Sequence, residues 1–262
     1  MQSNQIILGD SIKELNENIK VESVNLIFAD PPYNLSGSSL NLKNNKTGGA
    51  FYKVNEEWDT FTEDEYLSFT SNWIKGCKRV LTENGSLYIS CTHHNIGELI
   101  MVAKKLGFDL KNILTWYKVN AMPNITKRTY THSTEFVLWF VKGKKWIFNY
   151  DDVKKFNPNK TKSGDDKQMR DFLDFIELPI VQGKERLRGE NGRALHPTQK
   201  PEKLLELIIL ASSDEGDLVL DPFFGTGTTG FVAEKMNRKW IGIEINSDYK
   251  SMAEKRIENV EK

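Results

Sequence analysis

Leu218-Val219-Leu220-Asp221-Pro222-Phe223-Phe224-Gly225-Thr226-Gly227-Thr228-Thr229-Gly230 runs from a short apolar strand, through a glycine turn, into a helical segment from Phe231 to Met236. Glycines let the backbone approach a ligand closely, and a helix N-terminus offers unpaired N–H groups to a carboxylate or phosphate. A phosphate-binding P-loop would need Gly-Lys-Ser/Thr, and here no Lys occurs before Lys235. Gly225-x-Gly227-x-x-Gly230 does match dinucleotide spacing. Glu244 follows about twenty residues on, after Trp240-Ile241-Gly242-Ile243, where an acid can bind ribose hydroxyls. This half of the chain therefore reads as a site for a nucleoside-bearing cofactor, with a nicotinamide and a methyl donor both open.

Outward from that stretch, short apolar runs alternate with longer segments of helical period, the pattern of parallel strands joined by crossover helices. The spacing predicts an α/β fold with about seven strands, mostly parallel. They are Ile6–Leu8, Val24–Ala29, Ser86–Cys91, Ile113–Tyr117, Glu135–Val141, Leu218–Leu220 and Lys239–Ile243. Helical stripes are read over Glu63–Val80, Asn95–Leu106 and Pro201–Ala211. Trp58, Trp73, Trp116, Trp139, Trp146 and Trp240 read as packing residues. Two stretches break the alternation. Residues 35–58, rich in Gly, Ser, Asn and Lys, are expected to form a mobile loop. Residues 118–194, mostly an insertion and least periodic from Lys142 to Ala194, are the candidate recognition region of a single domain covering 1–262.

Directly after Val24-Asn25-Leu26-Ile27-Phe28-Ala29 stands Asp30-Pro31-Pro32-Tyr33, at the carboxyl end of a strand, the edge where open α/β sheets bind ligands. Paired prolines fix a stiff turn that lacks two backbone donors. An exocyclic amine is a poor nucleophile because its lone pair is delocalised into the ring. The Asp30 carboxylate and the Pro31 carbonyl could each accept one N–H, favouring a pyramidal nitrogen aimed at a methyl donor. Tyr33 offers a face on which an extruded base can stack. The tetrapeptide thus favours methyl transfer over hydride transfer at the glycine turn.

Composition sets few limits. The 262 residues carry 36 basic and 36 acidic side chains, so net charge neither demands nor excludes a polyanion. The stretch Lys142–Lys203 has a modest basic excess that the remainder of the chain balances. Cys77 and Cys91 share no metal-ligand spacing and lie outside any nucleophile motif, so no metal and no covalent enzyme intermediate are expected. His93-His94 follows the strand ending at Cys91, but adjacent histidines cannot easily face one ligand. Met1-Gln2-Ser3-Asn4-Gln5 is not a basic segment followed by an apolar run, and no stretch reaches the length of a membrane span. A cytoplasmic protein is expected.

Together, the Asp-Pro-Pro-Tyr and Phe-x-Gly-x-Gly motifs resemble the amino methyltransferases of DNA. With the catalytic motif first and a variable region between, the chain is similar to their β-class, a circular permutation of the Rossmann-like methyltransferase. The likeness runs from Gly9-Asp10 to Asn246. It implies S-adenosylmethionine as cofactor, with Asp30, Pro31, Pro32 and Tyr33 catalytic. It also implies that Phe223, Gly225, Thr226, Gly227 and Thr228 line the cofactor pocket, with Asp30 at its border and Asp221 near the amino acid end. Glu244, beside Asn246, would take the ribose, and Asp10 would lie near the adenine. Thr198 and Lys200, from His196-Pro197-Thr198-Gln199-Lys200-Pro201, would contact the methionine portion; without the likeness this segment is a helix entry.

Asp rather than Ser at position 30 favours N6 of adenine over N4 of cytosine within that family. Trp116-Tyr117-Lys118 and Thr131-His132-Ser133-Thr134-Glu135 carry a general likeness to enzymes of GATC-type restriction-modification systems. The reading is direct in-line displacement onto a flipped adenine in DNA. Lys118, Asn120, Asn124, Lys127, Arg128, Arg186 and Arg188 are candidate DNA contacts, and Tyr130 and His132 candidate stacking residues. A homodimer and a cognate restriction endonuclease are partners implied by resemblance alone. Competing readings are an N4-cytosine, RNA or protein-amide methyltransferase, a non-catalytic cofactor- and DNA-binding subunit, and a nicotinamide oxidoreductase.

Overall fold

The computed structural model describes residues 2–33, 61–121, 127–173, 181, 199–258 and 260. In chain order these form β1 (Gln5–Leu8), α1 (Ser11–Glu17), β2 (Val24–Ala29), α2 (Glu63–Val80), β3 (Leu81–Cys91), α3 (Ile96–Lys105) and β4 (Asp109–Tyr117). There follow β5 (Thr134–Val141), α4 (Tyr150–Phe156), α5 (Glu202–Ser212), β6 (Leu218–Asp221), α6 (Thr228–Lys235), β7 (Lys239–Glu244) and α7 (Ser247–Glu258). The strands make one seven-stranded sheet in the order β1-β7-β6-β2-β3-β5-β4. Pairing is parallel from β1 to β3, and β5 runs antiparallel to both β3 and β4. The expected α/β class and mostly parallel sheet hold.

The sheet is covered on both faces, which is why its inner strands read as unbroken apolar runs. Alternation along β2 sends Leu26 and Phe28 into the core beneath α4, α5, α6 and α7, and Ile27 and Ala29 into the core beneath α1, α2 and α3. Local signals set the helix ends. Thr62 and Glu65 form a reciprocal capping box at the start of α2, with the Glu65 N–H on the Thr62 hydroxyl at 3.3 Å and the Thr62 N–H on the Glu65 carboxylate at 2.9 Å. At the other end of α2, the Arg79 guanidinium donates to the carbonyls of Leu15 and Ile19, meeting orphan acceptors at the end of α1.

Topology then decides where a ligand can sit. From β2 the chain crosses by α2 to β3 on one side; from β6 it crosses by α6 to β7 on the other. β2 and β6 are neighbours, registered Leu26 to Val219 and Ile27 to Leu220. Their carboxyl ends therefore diverge at a switch point, which leaves a crevice at Asp30 and Asp221.

All seven expected strands are present. β3 and β4 begin earlier than expected: polar Thr82-Glu83-Asn84 fall in an irregularity between the Leu81–Val24 and Ser86–Leu26 pairs, and Asp109 pairs with Val141 just before a register shift. α1, α4 and α7 were not expected. α7 buries only Ala253 as a side chain and leaves almost no apolar stripe. β5, although it lies within 118–194, is an interior strand of the sheet, and α4 packs its Val153 into the core. Of the tryptophans, Trp73, Trp116, Trp139 and Trp240 are buried as expected, whereas Trp146 is 37% exposed under the Lys111 ammonium at 4.1 Å. Trp58 and the loop 35–58 lie outside the described residues.

Candidate active site

Asp30 leaves the end of β2 with both carboxylate oxygens engaged. The Tyr33 phenol donates to Oδ1 at 2.6 Å, and the Lys200 ammonium donates to Oδ2 at 2.6 Å. Tyr33 also meets the Ser90 hydroxyl of β3 at 2.9 Å. Since the single phenolic hydrogen goes to Asp30, Ser90 is the donor there. Burial, then the charges of Asp30 and Glu135, push the Tyr33 phenol well above its ordinary range, so it stays a donor. The Lys200 side chain is 6% exposed. Burial alone would lower its pKa, but Asp30, backed by Glu135, outweighs that and the net shift is upward. Beneath the turn, the Tyr66 hydroxyl of α2 donates to the Pro32 carbonyl at 3.3 Å and receives the Asn95 amide at 2.9 Å.

Across the crevice, a cleft is walled by Phe28, Asp30, Gln199 and Lys200 on one side and by Asp221, Phe223, Phe224, Gly225, Thr226, Thr228 and Thr229 on the other. Asp221 accepts from the Thr229 hydroxyl at 2.5 Å and the Phe223 N–H at 2.9 Å. Burial nevertheless pushes its carboxyl up to about 7, with Asp30 and Glu244 adding to the rise. Phe223 stands edge-on to Trp73. Glu244, ending β7, takes the Gly225 N–H at 2.7 Å and the Asn246 N–H at 2.8 Å, and burial raises its carboxyl too.

The other expected residues are placed as follows. Gly227 stands between the cleft residues Thr226 and Thr228, and its φ of 76° and a would-be Cβ only 2.8 Å from Ala253 favour glycine for the turn and for the approach of α7. Asp10 caps α1, accepting the Lys13 N–H at 2.9 Å, and stands beside the β1–β7 pair that ends in Glu244. Asn246 accepts the Asp248 N–H at 2.8 Å, at the start of α7. Lys118 is held by Glu135 at 3.1 Å. Asn120 follows β4, and Lys127 and Arg128 are exposed in the β4–β5 connection. Thr198, Asn124, Arg186 and Arg188 lie outside the described residues.

Ser90, Tyr66, Asn95 and Gln199 escaped the sequence reading. Two of them carried a signal: Asn95 stands beside the His93-His94 pair, and Gln199 lies between Thr198 and Lys200 in the segment expected to meet the cofactor. Cys77 and Cys91 are buried, and burial raises both thiols. Among the described residues, no three His, Cys, Asp or Glu side chains converge as metal ligands, and no helix is long and apolar enough to cross a membrane.

The profile of the N6_N4_Mtase family, described as DNA methylase, matches residues 24–255. Type II methyltransferase M.HinfI of Haemophilus influenzae is 41% identical over 260 residues, covering 98% of this chain and 69% of its own. Type II methyltransferase M2.DpnII of Streptococcus pneumoniae is 41% identical over 262 residues, covering 97% and 90%. Among solved structures, the M1.HpyAVI–SAM complex superposes with a TM-score of 0.66 at 29% identity over 97% of this chain and 98% of that one. The cytosine-N4-specific PvuII DNA methyltransferase shares the fold, with a TM-score of 0.70 at 23% identity over 96% and 85%. The acceptor turn, the glycine turn and these matches over nearly all of this chain lead to one assignment: the chain belongs to the N6/N4 DNA methylase family and is a DNA methyltransferase that uses S-adenosylmethionine.

Proposed function

We propose that the chain methylates N6 of adenine in DNA, at a defined sequence, by direct transfer to a base extruded from the helix. The observation that carries this reading is the Asp30 carboxylate, held between the Tyr33 phenol and the Lys200 ammonium at the mouth of the cleft. Asp at this position, where N4-cytosine enzymes of the family favour Ser, supports adenine.

The cleft suits S-adenosylmethionine by the chemistry of its walls. Asp30 and Asp221 offer carboxylates to a sulfonium and an amine, Lys200 offers an ammonium to a carboxylate, and Glu244 stands at a strand end suited to ribose hydroxyls. Phe223, Gly225, Thr226 and Thr228 complete that wall, with Gly227 in the same turn and Asp10 and Asn246 assigned to the adenosine end beside Glu244. Bound there, the cofactor supplies an electrophilic methyl group. Asp30 and the Pro31 carbonyl accept the two N–H groups of the target amine, which removes the lone pair from conjugation and fixes its direction. Pro32 stiffens the turn, and Tyr33 holds Asp30 from one side while presenting a ring to the base. No residue forms a covalent bond to the substrate.

The likeness to two Type II methyltransferases supports a restriction-modification role in the cytoplasm, with a nuclease partner and a homodimer as further parts of the proposal. Residues 118–194 would read the DNA, with GATC as the proposed target and Lys127 and Arg128 on phosphates. The test is to incubate protein, methyl-labelled S-adenosylmethionine and unmethylated DNA, then digest to nucleosides. Label in N6-methyladenosine that protects GATC sites from cleavage supports the proposal. Label in N4-methylcytosine overturns the base, and cofactor binding without labelled product overturns catalysis on DNA.

A further inference from the structure

Three imidazoles stand in contact at the edge of the site. The His93 and His132 rings lie face to face, 4.3 Å apart at 12°, and His94 leans on His93 at 3.9 Å. All three side chains are exposed. Parallel rings direct their nitrogens sideways rather than toward a common point, so the stack is not a metal cage. We propose that His93 and His132 form a proton-linked contact with the DNA backbone beside the extruded base, an inference that rests on the DNA reading above.

Placement is the first support. His93 lies three residues beyond Ser90, which touches Tyr33, and His132 leads into β5, whose Phe136 pairs with Cys91 of β3. The loop bearing His93 is rigid at its base. Asn95, buried, accepts the Thr92 N–H at 3.0 Å and donates to Tyr66, which in turn holds the Pro32 carbonyl. The histidines and the catalytic turn thus share one support, and an extruded nucleotide entering at Tyr33 brings its flanking phosphates to the stack.

Charge is the second support. Partial burial disfavours a proton on His93, and so do the groups facing it, His94, His132 and Lys118. The nearby acid Glu135 is bound to Lys118, and none of the three rings has an ion pair with an acid among the described residues. An outside anion at the stack would therefore favour the proton on His93 that its surroundings disfavour, and a phosphate is such an anion. Binding then takes up a proton, so affinity must rise as pH falls.

The experiment measures anisotropy of a fluorescein-labelled GATC duplex at constant ionic strength from pH 8 to pH 6, for wild type, the double variant His93→Gln/His132→Gln, and His93→Lys. Wild-type Kd should tighten about tenfold more over that range than that of the double variant, the effect of roughly one proton. His93→Lys, permanently charged, should bind tightly at pH 8 with a flattened slope. Cofactor affinity and melting temperature should be unchanged in all three. Equal slopes in wild type and double variant overturn this inference, and with methylated adenine still formed they leave the DNA reading standing. No duplex binding at any pH, with cofactor bound normally, overturns both.

Discussion

Asp30 and Lys200 are 170 residues apart in the chain and 2.6 Å apart in the fold. Their pairing makes a simple alanine test ambiguous. Asp30→Ala removes the amine acceptor but also takes the 2.6 Å ion pair away from the buried Lys200 ammonium, which lowers stability as well. It should therefore lower both the melting temperature and kcat, the latter by at least about a hundredfold by analogy with the loss of one fixed electrostatic group. The double variant Asp30→Ala/Lys200→Met should regain most of the stability and none of the activity; recovery of turnover would remove Asp30 from the mechanism. Asp221 gives a second test. Burial lifts its carboxyl to about 7, above its unfolded value, so the protonated form is favoured in the fold and stability is lost as pH rises through the interval up to about 7. A cation placed beside it favours ionisation, so cofactor binding releases a proton. S-adenosylmethionine affinity should strengthen by up to about tenfold from pH 6 to pH 8, and calorimetry on Asp221→Asn should show that dependence flattened.

At the scale of elements, the glycine turn owes its shape to what lies under it. Phe224 is 3% exposed, stacks on Trp240 with centroids 5.5 Å apart, and donates its N–H to the Ile243 carbonyl at 3.0 Å. A Cβ on Gly242 would lie 2.3 Å from its ring, and one on Gly230 would lie 2.5 Å from it. Two glycines outside the turn thus make room for the ring that anchors it. Gly242→Ala should destabilise by about 1–3 kcal/mol through overpacking and weaken cofactor binding, because Gly225 and Thr226 follow Phe224 directly. Phe224→Leu should relieve part of that loss in a urea titration, and additive effects of the two changes would refute the account. This layer was not legible beforehand: Gly225-x-Gly227-x-x-Gly230 suggests a ligand-binding turn, and nothing in that spacing shows that Gly230 and Gly242 make room for the Phe224 ring. Strands were legible because both of their faces are buried, as at β2 and β7. α7 was not, because its single buried side chain leaves no period to read.

For the whole molecule, sequence motifs gave the strand ends that carry chemistry, Asp30, Asp221 and Glu244, because each closes an apolar run. What they could not give was the neighbour relation. Ser90 reaches Tyr33 only because β3 lies beside β2, and Lys200 reaches Asp30 only because α5 begins above the switch point, a consequence of strand order rather than of any local pattern. If strand order is what makes the site, the order of motifs along the chain should be dispensable. The fold provides a way to test this. β1 pairs with β7, and α7 packs against both, so the first and last described elements are neighbours. Joining them with a short Gly/Ser linker and opening the chain between Glu215 and Gly216 would place the glycine turn before Asp30. That opening lies in an exposed turn where Gly216 has a φ of 81° and nothing within 4 Å of a would-be Cβ. The permuted protein should melt within a few degrees of the parent and retain its cofactor affinity and methyl transfer. If it folds but no longer transfers methyl groups, connectivity itself positions the catalytic turn; if it does not fold, pairing of β1 with β7 is not the independent closure of the sheet that its register suggests.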